Sequence, residues 1–228
     1  MSWLDKYIET IVDTGYYMWL LDGFGNTILI TIGALLIGVA IGTLIAIIKY
    51  FGEDIPAMKP LCLICDLYIT VIRGIPVVVL LLITFFIIFA SSDNGVMVAI
   101  ITFGINSGAY MAELIRGGIQ AVDKGQMEAG RSLGLSKLQT MAKIIFPQAI
   151  RYILPAIGNE MIALLKETSV AGYVAVRDVT KASDQIRNLT YDSVSPLLTV
   201  ALTYLGLVVL MTAILNKVEK RLSKSDKG

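Results

Sequence analysis

The chain contains no histidine. That removes the usual general base near neutral pH and the commonest metal ligand. Its two cysteines, Cys62 and Cys65, form a C-x-x-C in an apolar setting. Zinc takes about four ligands, so with no histidine and no third cysteine the pair reads as two packing residues. Charge is also scarce: 16% of residues are Asp, Glu, Lys or Arg, and the formal net charge is +1. A soluble domain is about one quarter charged, and a nucleic-acid binder carries a clear positive excess. No G-x-x-x-x-G-K phosphate loop is present; Gly134-Leu135-Ser136-Lys137 lacks the preceding glycine framework, so the chain is not expected to bind ATP itself. Also missing are an internal repeat, a low-complexity segment, and a basic leader followed at once by an apolar core. Without a metal cluster or a nucleophile–base motif, a membrane-embedded enzyme is disfavoured.

What the chain has in quantity is apolar sequence. Hydrophobic residues make up 56%, and the mean hydropathy is +0.74. A membrane span needs about 20 largely apolar residues, and in hydrocarbon a helix satisfies all its own backbone groups. The pattern predicts an all-α membrane protein with five transmembrane helices: Thr27 to Ile48, Pro60 to Ala90, Asn94 to Ala112, Tyr152 to Val176 and Ser193 to Asn216. The second carries Asp66 and Arg73, and the fourth is interrupted by Glu160, Lys166 and Glu167.

Basic residues then orient the chain, because they concentrate on the cytoplasmic side. With the N-terminus outside, Lys49, Lys59, the basic residues from Arg116 to Arg151 and the basic tail fall inside. Only Lys6, Arg177, Lys181 and Arg187 are left outside. The C-terminus is therefore expected in the cytoplasm. Residues 1–22 show Trp3, Tyr7 and Ile11 at helical spacing, which fits an amphipathic helix on the outer surface or a frayed terminus. The division expected is 1–22 as that surface segment, 23–217 as one membrane domain, and 218–228 as a basic cytoplasmic tail.

Smaller signals mark packing. Ala34, Gly38, Gly42 and Ala46 recur every four residues, a stripe that lets helix backbones approach in lipid, whether the neighbour lies in this chain or another. Arg73-Gly74-Ile75-Pro76 predicts a kink or break, since Pro76 has no backbone donor. Arg73 either pairs with Asp66 or reaches to the inner interface.

The most informative stretch lies between the third and fourth spans, at about 117–150. Glu128-Ala129-Gly130 is followed after three residues by Gly134, and after nine more by Ile144 and then Phe146-Pro147. Gly134 suits a helix C-terminus, Ser136 an N-cap, and a short helix over Lys137 to Ile145 follows. Pro147 and Pro155 are expected to stop regular helix before the next span. The product is a helix-turn-helix with Glu128 near its bend, a coupling helix held out on the cytoplasmic side.

This stretch resembles the EAA loop of bacterial ABC importer permeases, with Gly130 for the second Ala and Phe146 for the usual Leu. The resemblance extends to Arg73-Gly74-Ile75-Pro76, to Ala109-Tyr110-Met111-Ala112-Glu113 with Arg116-Gly117-Gly118-Ile119, and to Leu154 through Ser169. It is closest to the polar amino-acid permeases and covers about Gly25 to Asn216. It implies a transmembrane subunit in the bacterial cytoplasmic (inner) membrane. Its implied partners are a dimer of ATP-binding cassette subunits that bind ATP and magnesium, a second permease copy or paralogue, and an extracytoplasmic substrate-binding protein. No cofactor and no nucleic acid is expected in the chain itself. Glu128, Ala129, Gly130, Ser132, Leu133 and Gly134 are the implied ATPase-coupling residues.

A charged group inside a span is a functional candidate by default. Glu160, preceded by Asn159, can take an ammonium or guanidinium group, with Asn106 and Ser107 adding neutral polar contacts. Each has a structural alternative, a hydrogen bond to a neighbouring helix. Lys166, Asp66 and Glu113 read as structural. A cationic amino acid is favoured, and a neutral polar one such as glutamine is the alternative. A self-sufficient secondary carrier would need more spans and paired repeats.

Overall fold

The structure is a computed structural model describing residues 3–52 and 54–224. Among these residues every regular element is a helix. A short α1 (Trp3–Tyr7) leads through a π turn (Ile8–Asp13) to α2 (Tyr17–Gly52). Next come α3 (Lys59–Gly74), α4 (Val77–Ile83) and a second π turn (Thr84–Ile88), then α5 (Gly95–Gln120), α6 (Gly125–Ser132) and α7 (Lys137–Thr140). A third π turn (Met141–Ile145) runs into α8 (Phe146–Glu167), followed by a 3-10 segment (Thr168–Val174), α9 (Val179–Thr190) and α10 (Val194–Lys224).

Three of these helices are long and apolar enough to cross a membrane: α2, α5 and α10. A fourth crossing is available only as a broken pair, with α3 on one side of Ile75-Pro76 and α4 on the other. The predicted kink or break is thus a break. Pro76 sits extended at the start of α4 (ψ 134°), because it cannot donate to the preceding turn and its ring disfavours helix at Ile75. The predicted fourth span, α8, has 22 residues. Arg151, Asn159, Glu160, Lys166 and Glu167 keep it less apolar than the others.

Several boundaries differ from the sequence reading. α2 begins at Tyr17 rather than Thr27, so part of the expected 1–22 surface segment belongs to the first long helix. α5 runs past Ala112 to Gln120, and Asn106 and Ser107 lie within it without interrupting it. Gly118 stays helical because it packs on Ile153, where a side chain would collide. α10 continues through most of the expected tail, to Lys224. The expectation that Pro147 and Pro155 stop the helix is wrong, since both lie inside α8. The wider π turn before Pro147 makes room for its ring, and the Gln148 side-chain amide donates to Ile144 O at 2.9 Å. The predicted fourth span, Tyr152 to Val176, is instead divided between α8 and the 3-10 segment, which closes on Ala175 in the left-handed region (φ 60°).

The chain forms two compact units. The first comprises Met1–Leu36, Ile75–Ile105 and Met161–Met211. Its core holds Ile30, Ala34, Leu81, Ala99, Phe103 and Leu164, with the 3-10 residues Ala171 and Val174. A second cluster packs Ile11, Leu20, Val179, Ala182, Ile186 and Val200. The N-terminal segment is therefore docked on protein. The Lys6 ammonium lies 3.7 Å from Asp192, Thr10 Oγ1 donates to the same carboxylate at 3.3 Å, and Thr199 Oγ1 donates to Tyr7 OH at 3.3 Å. Burial pushes the Asp192 carboxyl up, but hydrogen bonds from Ser195 and Val194, with the Lys6 charge, outweigh it and hold the group below its ordinary value.

The second unit comprises Ile37–Gly74, Asn106–Glu160 and Thr212–Gly228. Here the small-residue stripe of α2 meets α5 of the same chain. A Cβ on Gly38 would lie 2.7 Å from Ser107 Oγ, and one on Gly42 2.8 Å from the Ala112 amide nitrogen. Cys65 packs with Ile45, Ile69 and Ala112. Both cysteines are buried and unbonded to each other, as expected of packing residues. Ala46, Ile115, Met141, Ile145, Ala149 and Ile153 form the other core of this unit.

Candidate functional site

The segment from α6 to α8 is built from local signals that agree with one another. Glu128 lies in the first turn of α6, where a carboxylate suits the helix dipole. Gly134 ends that helix at φ +84°. Its amide bonds to Arg131 O at 3.0 Å, and the Leu135 amide reaches back to Gly130 O at 3.1 Å. This double closure needs a left-handed residue, which Gly supplies without strain. Ser136 then caps α7: its hydroxyl accepts from the Gln139 amide at 3.2 Å, and Gln139 Oε1 accepts from the Ser136 amide at 2.8 Å. The reciprocal pair is a capping box.

The two short helices are pressed together at one point. Gly130 is buried, and a Cβ there would lie 2.8 Å from Thr140 Oγ1 and closer still to its methyl group. Thr140 is fully buried, with its hydroxyl bonded to Ser136 O at 3.0 Å. Glycine at this departure from the E-A-A pattern is therefore what Thr140 requires. Around this contact, Glu128, Ala129, Ser132, Leu133 and Gly134 are all exposed. Leu133 is 80% exposed and Leu138 63%, an apolar rim on an otherwise polar turn.

Lys137 opens α7, a position where the helix dipole disfavours a cation. Its ammonium pairs with Asp54, accepts a place 4.9 Å from the Tyr50 ring centre, and lies 3.5 Å from Tyr50 O. The turn is thus tied to the end of α2. The sequence places Lys137 at the start of a short helix and among the basic residues, without assigning it a partner. Its unfavourable helix position was the available signal, but the partner on Asp54 was not.

The intramembrane candidates are arranged differently. Ser107 Oγ donates to Glu160 Oε1 at 3.1 Å, so the structure brings these two together. Asn106 is 4% exposed, while Asn159 lies exposed on α8. The proposed Asp66–Arg73 pair does not form. Asp66 pairs with Lys49. Arg73 lies 3.9 Å from Glu113 and 5.0 Å over the Tyr110 ring. Glu113 is also held by Arg116 at 2.7 Å. Two turns of one helix separate Asp66 from Arg73, and partners on other helices lie nearer. Among the described residues no group of three or more potential metal-binding side chains occurs.

Residues 38–224 match the model of a family described as binding-protein-dependent transport system inner membrane component. The arginine transport system permease protein ArtQ of Bacillus subtilis (strain 168) is 34% identical, with 91% of this chain and 94% of that protein covered. The probable glutamine ABC transporter permease protein GlnM of the same organism is 37% identical, covering 90% and 94%. A crystal structure of an amino acid ABC transporter with histidines superposes with a TM-score of 0.83 at 37% identity, covering 91% of this chain and 96% of that one. The inward-facing MetNI methionine ABC transporter shares the fold, with a TM-score of 0.78 at 21% identity, covering 90% and 97%.

Proposed function

Since the chain belongs to the family of binding-protein-dependent transport system inner membrane components, we propose that it is the membrane-spanning subunit of an ATP-driven amino-acid importer. In this reading the N-terminus is outside, α8 supplies the fourth of five spans, and the α6–α7 turn faces the cytoplasm of a bacterial inner membrane. An ATP-binding cassette subunit holding ATP and magnesium grips that turn, and a second permease completes the pathway. An external binding protein delivers the substrate.

The observation that carries the reading is the construction of the turn. It is stiffened by a capping box, a left-handed glycine and the Gly130–Thr140 contact, yet it exposes Leu133, Leu138 and Glu128. Stiffness inside and apolar exposure outside suit a part that transmits a rigid-body motion from a docked partner. The test is Glu128→Arg. Insertion and folding should persist while ATP-driven uptake in proteoliposomes is lost; undiminished uptake would remove the docking role.

For the substrate, the Ser107–Glu160 pair supports a polar amino acid, with a cationic side chain the first choice. Ser107 uses one carboxylate oxygen, leaving acceptor capacity for an ammonium or guanidinium donor. A neutral polar amino acid is the second reading, and the relative named for glutamine favours it.

A further inference from the structure

In the second unit, four cations from separate segments line one cavity of about 550 Å3. Lys49 comes from the end of α2, Arg116 from α5, Lys124 from just before α6, and Lys137 from α7. Among the described residues a single carboxylate, Asp54, lines the same space. Ala46 and Ile119 supply an apolar wall. Lys49 pairs with Asp66 and Arg116 with Glu113, neither of which lines the cavity, while Lys137 pairs with Asp54, which does. Lys124 makes no ion pair among the described residues and is exposed.

A bias of basic residues toward the cytoplasmic side explains why cations occur at this level. It does not explain why four of them converge on one cavity with an apolar wall. Cations beside apolar surface at a helix end fit an amphipathic anion, whose charged head pairs with Lys or Arg while its tail lies along the wall. We propose that this cavity binds the phosphate group of an anionic ligand, supplied by a phospholipid headgroup or by a soluble phosphate. The cytoplasmic position of the cavity rests on the orientation given above; the binding chemistry does not.

The experiment uses the intact importer with its ATPase subunit, in nanodiscs of phosphatidylcholine doped with phosphatidylglycerol, and counts retained anionic lipid by native mass spectrometry. A basic residue near a membrane surface contributes about fivefold to anion affinity. Retention should fall about fivefold in Lys124→Gln and roughly twenty-five-fold in Lys124→Glu. It should persist in Lys124→Arg, and in Lys143→Gln, which removes a cation that does not line the cavity. A second arm replaces the doped lipid with inorganic phosphate in the buffer. Phosphate binding that depends on Lys124, with no lipid retained, assigns the site to a soluble anion.

The proposal is overturned if neither probe binds, or if Lys124→Gln and Lys143→Gln behave alike. Orientation is read separately by labelling Lys143→Cys with a membrane-impermeant maleimide, a clean readout because Cys62 and Cys65 are buried. Labelling from outside would sink the orientation and leave Lys124-dependent binding standing.

Discussion

Replacing Gly130 by alanine restores the commoner residue of the E-A-A pattern, and the structure predicts that it harms this chain. Alanine in a helix interior is favoured over glycine by about 1 kcal/mol. Against that, the new Cβ would lie 2.8 Å from Thr140 Oγ1 and 3.2 Å from its Cβ, with the methyl group nearer still. Thr140 is fully buried and tethered to Ser136 O, so it cannot swing aside. Overpacking of this kind costs about 1–3 kcal/mol, which leaves a net loss of up to about 2 kcal/mol. Thr140→Ala alone loses one hydrogen bond, about 1 kcal/mol. Together the two changes should be far from additive, because the second removes the atoms that the first strikes. The double variant should come out within about 1 kcal/mol of the parent. Thermal unfolding of the purified importer in detergent reads the stabilities, and ATP-driven uptake reads whether the turn still couples. Additive losses, or a Gly130→Ala protein that is stable and fully coupled, would show that α6 and α7 are not locked at this point.

Three further outcomes are expected. Reversing either Lys137 or Asp54 should weaken uptake while lowering stability by no more than about 1 kcal/mol, as for a largely exposed pair, and the double reversal should recover uptake; no recovery would deny the tie between α7 and α2. Glu160→Gln keeps an acceptor for Ser107 but loses the charge, so uptake of cationic amino acids should fall by about tenfold or more while glutamine uptake holds; equal loss for all substrates would make Glu160 structural. Because the folded Asp192 carboxyl lies below its ordinary value, its contribution is present above about pH 4 and is lost as pH falls through the folded value. Amide protection over residues 3–13, measured against the intrinsic exchange rate at each pH, should therefore fall on acidification, and Asp192→Asn should abolish that fall.

Features that depend on neighbouring residues in the chain were legible in the sequence. The left-handed closure at Gly134, the cap at Ser136 and the break at Pro76 each follow from what one residue type does to its own backbone. The stripe from Ala34 to Ala46 was visible too, although only packing showed that it faces α5 of the same chain. What failed depended on third parties. Pro147 and Pro155 look like stops until a π turn and an apolar setting absorb them. Arg73 has Asp66 two turns away on its own helix, but Glu113 and Tyr110 reach it from α5. The need for Gly130 became visible only with Thr140 placed against it.

The π turn at Met141–Ile145 carries one surplus residue in an otherwise continuous rod, and so it sets an angular phase. Each residue of an α-helix advances the next by about 100°. Deleting one residue here would let the rod close up as plain α-helix and would rotate everything beyond it by about that angle relative to α7. Seen from α7, Glu160 would point about 100° away from its present direction although no atom of its side chain had changed. The nine-residue interval between Gly134 and Ile144 thus works as a timing mark: its length decides which way the carboxylate points when the turn is held.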